Sequence, residues 1–168
     1  PRPNDVPEEE MVASVDRTIR WAARCKAEYE RQVISRGLVE SDRPLLFGVV
    51  QGGISVVQRM RCAESLAEIG FDGYGFGGRH VDGDGNFLEE IIRETAAAIP
   101  KNVPRFALGI GTPEDIVRCY ALGWDMFDCV IPTREGRHGR LFIMKSQDTN
   151  EVDFYETINI NNEQFRED

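Results

Sequence analysis

Leu45-Leu46-Phe47-Gly48-Val49-Val50-Gln51-Gly52-Gly53, followed by a periodic stretch over residues 54–69, decides the fold. The first six residues are an unbroken apolar run without alternation, the pattern of a strand in a parallel sheet covered on both faces. Gly52-Gly53 ends it. Val57, Met60, Ala63 and Ala67 then line one face at the 3.6-residue period until Gly70 stops the helix. The unit recurs downstream. Tyr74-Gly75-Phe76-Gly77-Gly78 is a second strand, and a helix near 86–98 turns Leu88, Ile91, Ile92 and Thr95 inward before Pro100. Arg105-Phe106-Ala107-Leu108-Gly109-Ile110 is a third. Its helix opens with Thr112 as cap, Pro113 at the first position and Asp115 completing a capping box, and ends at Gly123. Met126-Phe127-Asp128-Cys129-Val130-Ile131 is the fourth, closed by Pro132.

Residues 8–33 precede this series as a helix carrying Val12, Val15, Ile19 and Ala22 on one face. The tail differs. Leu141-Phe142-Ile143-Met144 and Val152-Asp153-Phe154-Tyr155, separated by residues 146–150, read as an antiparallel hairpin appended to the sheet. The class is therefore α/β, with about four parallel βα units. They fit half of a (β/α)8 barrel or a small doubly wound sheet.

Composition narrows the function. Lys and Arg number 20 against 29 Asp and Glu, a net charge of −9, which disfavours wholesale nucleic-acid binding but leaves room for a local basic patch. No apolar run approaches the roughly 20 residues that span a bilayer, and no charged-then-apolar leader is visible. Cys25, Cys62, Cys119 and Cys129 are scattered without a Cys-x-x-Cys pair, which argues against a zinc ribbon or disulfide framework and suits a reducing cytoplasm. The first residues, from Pro1, and the polar last ones suggest a piece of something longer.

In parallel α/β folds ligands meet the carboxyl ends of the strands. Those ends carry Gln51-Gly52-Gly53, Gly77-Gly78-Arg79-His80, Gly109-Ile110-Gly111-Thr112 and Asp128. Glycines let a flat ligand approach the backbone, and the Gln51 amide both donates and accepts, which suits a nucleobase edge. Each glycine pair alone is ordinary turn chemistry; three on one rim carry more weight. A carboxylate at Asp128 within an apolar run is costly unless hydrogen-bonded or working, so it reads as a nucleophile or general base, with a structural Asp as the bland alternative. Residues 131–145 carry Arg134, Arg137, Arg140 and Lys145 against Glu135, a basic contrast suited to phosphate or to a solvated loop. No metal-ligand spacing stands out. His138 and Cys129 are assigned no chemistry.

Four segments together resemble the tRNA-guanine transglycosylase (queuine tRNA-ribosyltransferase) family. They are Phe47–Gly53, Ile69–Tyr74 running into Gly77-Gly78, Gly109–Asp115, and above all Asp125-Met126-Phe127-Asp128-Cys129-Val130-Ile131-Pro132-Thr133-Arg134. Thr18–Ala22 and Asn159-Ile160-Asn161 resemble flanking segments. The likeness covers nearly the whole chain. It implies a partial TIM (β/α)8 barrel, the second half of the catalytic barrel, lacking the N-terminal half and a C-terminal zinc subdomain. It implies exchange of guanine at the tRNA wobble position for a 7-deazaguanine, queuine or its precursor. Asp128 would be the nucleophile that forms a covalent ribosyl intermediate. Gln51, Gly77 and Gly78 would hold the base's edges, Phe106 would stack on it, and Leu108 and Gly109 would wall the pocket. Arg134 and Arg137 would meet the tRNA backbone.

The resemblance also places a second catalytic carboxylate before Pro1 and the structural zinc ligands beyond Asp168, so no cofactor belongs to these residues. The chain departs from the family at Arg79, where an aliphatic residue is usual, in the displaced or missing Glu after it, at Phe106 for a frequent Tyr and at Thr112 for a frequent Lys. A fragment of this kind is expected to be inactive alone, with open sheet edges that invite a homodimer. The competing functions are a DNA-acting deazaguanine transglycosylase relative and a non-catalytic partner subunit.

Overall fold

A computed structural model describes residues 6–149 and 153–165. Helix α1 (Glu8–Ser35) leads into β1 (Phe47–Val50), α2 (Val56–Ile69), β2 (Gly73–Phe76), α3 (Glu89–Ala98), β3 (Arg105–Leu108), α4 (Pro113–Ala121) and β4 (Met126–Asp128). The four strands lie side by side in the order β1-β2-β3-β4, every pair parallel. The order never reverses, whereas a doubly wound sheet turns back at a switch point. The arrangement is that of a partial (β/α)8 barrel.

Local chemistry explains the boundaries. Ser55 Oγ caps α2 by accepting from Gln58 N, and Thr112 Oγ1 caps α4 by accepting from Asp115 N. Pro113 opens α4 where its missing N–H costs nothing. Three glutamates, Glu8, Glu9 and Glu10, meet the positive end of α1.

Within these residues the two faces of the sheet differ. Val50, Tyr74, Phe76 and Ala107 point to the helices and are buried. Trp124 anchors that side: it is fully buried, its ring meets Phe76 edge-on at 5.6 Å, and its Nε1 donates to Ile92 O at 3.2 Å. The opposite face carries Phe47, Val49, Phe106, Leu108, Met126 and Asp128 around the glycines of β2, and none of these six side chains is fully buried. β1 and β4 are the outer strands, and among the described residues neither pairs further.

Three local expectations change. Helix α2 exposes Val57 and Met60 and buries Arg59, Cys62, Ala63 and Leu66, because Arg59 finds buried acceptors that a hydropathy pattern does not anticipate. The fourth strand ends at Asp128, and Ile131–Arg137 forms a helix, α5, with Pro132 in its first turn; a proline taken as a strand stop serves equally as a helix start. The hairpin exists but is a separate sheet. β5 (Arg140–Met144) pairs antiparallel with β6 (Tyr155–Asn159), in register from Arg140 opposite Asn159 to Met144 opposite Tyr155. α5 stands between β4 and β5 and diverts the chain. The second strand lies later than expected, and Val152 falls outside the described residues. Tyr155 Oη donates to Glu114, tying the hairpin to α4, and that bond pushes the Tyr155 pKa up to about 12.

A charged knot closes the base of the sheet. Asp72 accepts from both terminal nitrogens of Arg43, at 2.8 and 2.7 Å, and from Leu46 N at 2.7 Å. The Arg43 bonds hold the Asp72 carboxyl below its ordinary pKa. A carboxyl depressed by folding adds stability above its unfolded pKa, about 3.9, and loses it as pH falls through the lower folded value. Asp72→Asn is expected to lower the melting temperature by about 3 °C at pH 7, with the gap closing as pH falls below 3.9. A pH series of thermal melts measures it; a gap constant down to pH 2 would show that Asp72 is not held ionised by Arg43.

Candidate functional site

The strand ends form one rim. Val50 aligns with Phe76 and Leu108 with Asp128, so Gln51, Gly77, Gly109 and Asp128 follow one another across it. β2 supplies the reason this edge is open. Its glycines Gly73, Gly75 and Gly77 stand in one column, and side chains from the flanking strands fold over them. A Cβ at Gly73 would overlap the Phe47 ring, one at Gly75 would stand 2.8 Å from Leu108 Cδ1, and one at Gly77 would overlap the Gln51 amide nitrogen. Gln51 therefore lies across Gly77, with its amide brought to the rim by a neighbour that has no side chain. Gly77 N donates to Val50 O at 2.9 Å, which extends the ladder to this point. Gly52, at φ 147°, holds a turn a side chain could not share: a Cβ would stand 2.7 Å from Arg59 N at the start of α2.

Asp128 closes the rim on the far side. Gly109 N donates to its Oδ1 at 3.0 Å, and among the described residues this is the one hydrogen bond to the carboxylate. The side chain is exposed, which differs from the expected burial within an apolar run. Met126 on β4 and Val130, just before α5, are exposed too, at 42% and 65%. An exposed carboxylate with one oxygen held by a backbone N–H has the chemistry of a nucleophile or a general base.

The remaining expected residues fall into two groups. Phe106 shares the open face with Asp128, one pair of positions below the rim, and meets Phe47 edge-on at 6.5 Å. Leu108 covers Gly75, and Gly78 follows Gly77 at the end of β2. Arg134 and Arg137, in contrast, lie on α5, which begins three residues after Asp128. They are i and i+3 and share a helix face. Glu135 takes part of the local charge: Arg134 Nε donates to it at 3.1 Å and Arg140 Nη1 at 3.2 Å. The Arg134 bond holds the Glu135 carboxyl below its ordinary pKa.

Two residues escaped the sequence reading. His80 Nε2 lies 3.0 Å from Asp115 Oδ2, pinning the loop after β2 to the first turn of α4. Burial opposes ionisation of Asp115, but its bonds to His80 and Thr112 outweigh it and the pKa falls. The partners are 35 residues apart, so no local signal announces them. Arg59 is buried beneath the rim and is treated below. Among the described residues no group of three or more His, Cys, Asp or Glu side chains could hold a metal ion. Among the described residues no helix is long and apolar enough to cross a membrane.

The sequence pattern of the queuine tRNA-ribosyltransferase family matches residues 1–168. The chain belongs to this family. A queuine tRNA-ribosyltransferase of Halothermothrix orenii is 40% identical over 142 residues, covering 84% of this chain and 35% of that protein. One of Aliivibrio fischeri is 41% identical over 135 residues, covering 80% and 34%. One of Gloeobacter violaceus is 37% identical over 160 residues, covering 95% and 38%. The chain thus spans about a third of the length of these curated relatives. The glycine column, Gln51 and Asp128 all lie within the segment that matches the queuine tRNA-ribosyltransferase family.

Proposed function

We propose that this chain is the nucleophile-bearing half of a tRNA-guanine transglycosylase barrel, active in the full polypeptide that carries it. Asp128 attacks C1′ of the wobble guanosine. The C1′–N9 bond breaks, and its electron pair leaves with guanine, which takes up a proton. N9 of an incoming 7-deazaguanine then attacks C1′, expels the Asp128 carboxylate and loses its proton. Two inversions give net retention, as in retaining glycosidases. Gln51 and the backbone at Gly77 and Gly78 hold the base edge, with Phe106, Leu108 and Gly109 as the wall. The missing strands close the barrel on the free edges of β1 and β4.

One observation carries this reading: an exposed carboxylate, held through a single oxygen by Gly109 N, shares its rim with an amide laid across a glycine. Incorporation of labelled guanine into tRNA and into duplex DNA by the full polypeptide tests it. Label in tRNA is expected; label confined to DNA would assign the chain to a DNA-acting relative, and label in neither would make it a non-catalytic subunit.

Arg134 and Arg137 serve tRNA as phosphate contacts. Each Arg→Ala substitution is expected to weaken tRNA binding and to reduce the slope of log K against log salt by about 0.7–0.9. Binding isotherms between 50 and 200 mM salt measure it, and an unaltered slope would remove α5 from the interface.

A further inference from the structure

We propose that Arg59 is the positioning residue of the base-edge rim, setting the places of Gln51 and Gly78 from beneath. This rests on the base-exchange reading above. Arg59 lies on α2 and is fully buried. Its Nε donates to Gly53 O at 2.9 Å and its Nη1 to Val50 O at 3.1 Å, so the two carbonyls it grips bracket Gln51-Gly52. Val50 O also accepts from Gly77 N, so the guanidinium and the end of β2 meet on one oxygen. The guanidinium carbon stands 4.0 Å from the centre of the Phe76 ring, the residue immediately before Gly77. Its Nη2 has no hydrogen-bond partner among the described residues, and a Cβ at Gly78 would lie 3.3 Å from it. One group thus touches both segments that present the base edge.

A buried cation paired with carbonyls and a ring, and with no carboxylate among its partners, is a costly choice if packing were its whole purpose. Burial lowers its pKa to about 10, which leaves it charged at neutral pH. A planar fork holds two carbonyls at fixed separation; a lysine ammonium or an apolar chain of equal length does not.

The test uses the full polypeptide with Arg59→Met, Arg59→Lys and Arg59→Ala, reading KM for the incoming base, KM for tRNA and kcat. Losing charge-assisted bonds that hold the rim is expected to raise the base KM about tenfold or more in Arg59→Met, with the tRNA KM within twofold of the unsubstituted protein. Arg59→Lys is expected to fall between them. Millimolar guanidinium is expected to restore much of the base KM of Arg59→Ala. A base KM unmoved in folded Arg59→Met, or base and tRNA KM rising together without guanidinium rescue, would reduce Arg59 to a packing residue. If Arg59→Met does not fold, Arg59→Lys decides by the same split between the two KM values. No exchange by the unsubstituted protein would instead sink the base-exchange reading, and this proposal with it.

Discussion

Asp128→Asn is expected to abolish the covalent adduct with tRNA and to cut base exchange by on the order of 10^6-fold, the scale of loss when a nucleophile is removed, while leaving the melting temperature within a degree or two. The contrast follows from the environment of the side chain. Carboxylate and amide have nearly the same shape, and Asp128 forms no ion pair among the described residues, so the exchange opens no cavity and strands no partner charge. The amide oxygen still accepts the Gly109 N–H that holds Oδ1 at 3.0 Å, so the strand end keeps its shape. What disappears is the anionic oxygen: a neutral amide is a poor nucleophile toward C1′. Denaturing electrophoresis of protein mixed with tRNA reads the adduct, and base incorporation reads the turnover. An adduct that survives Asp128→Asn would place the nucleophile elsewhere and void the mechanism.

Gly77→Ala is expected to raise the KM for the incoming base by about ten- to a hundredfold, the equivalent of about 1–3 kcal/mol for overpacking a filled site. The backbone at Gly77 does not have the positive φ that would penalise alanine. The obstacle is space. The new Cβ would overlap the Gln51 amide and stand 2.8 Å from Val49 Cγ1. Val49 is held in the strand, so the amide yields and leaves the position proposed above for meeting a base edge. Gly83→Ala is the control, because a Cβ there meets nothing within 4 Å. Equal base KM values for Gly77→Ala and Gly83→Ala would show that Gln51 need not lie across Gly77.

Much of this was legible in the chain of residues. The Leu45–Val50 run, the capped start at Thr112-Pro113 and the stop at Gly70 carry their structural meaning locally, through side-chain volume, missing donors and permissive backbone, so strands and helices could be read in order. Gln51, the rim glycines and Asp128 follow from that order, because in a parallel sheet every strand end faces the same way. What failed was reading that assumed a symmetric environment. The inward face of α2 was misjudged because a buried arginine does not register in a hydropathy pattern.

Sequence alone determined the alternation of elements, the family motif and the identity of the rim residues, since each depends on neighbours within a few positions. Only the tertiary structure decided that Gln51 lies across Gly77, that His80 pairs with Asp115 and that a buried Arg59 bonds the carbonyls on either side of Gln51-Gly52. Those facts depend on groups brought together across tens of residues, where contact, desolvation and space are set by the packed chain and leave no periodic trace.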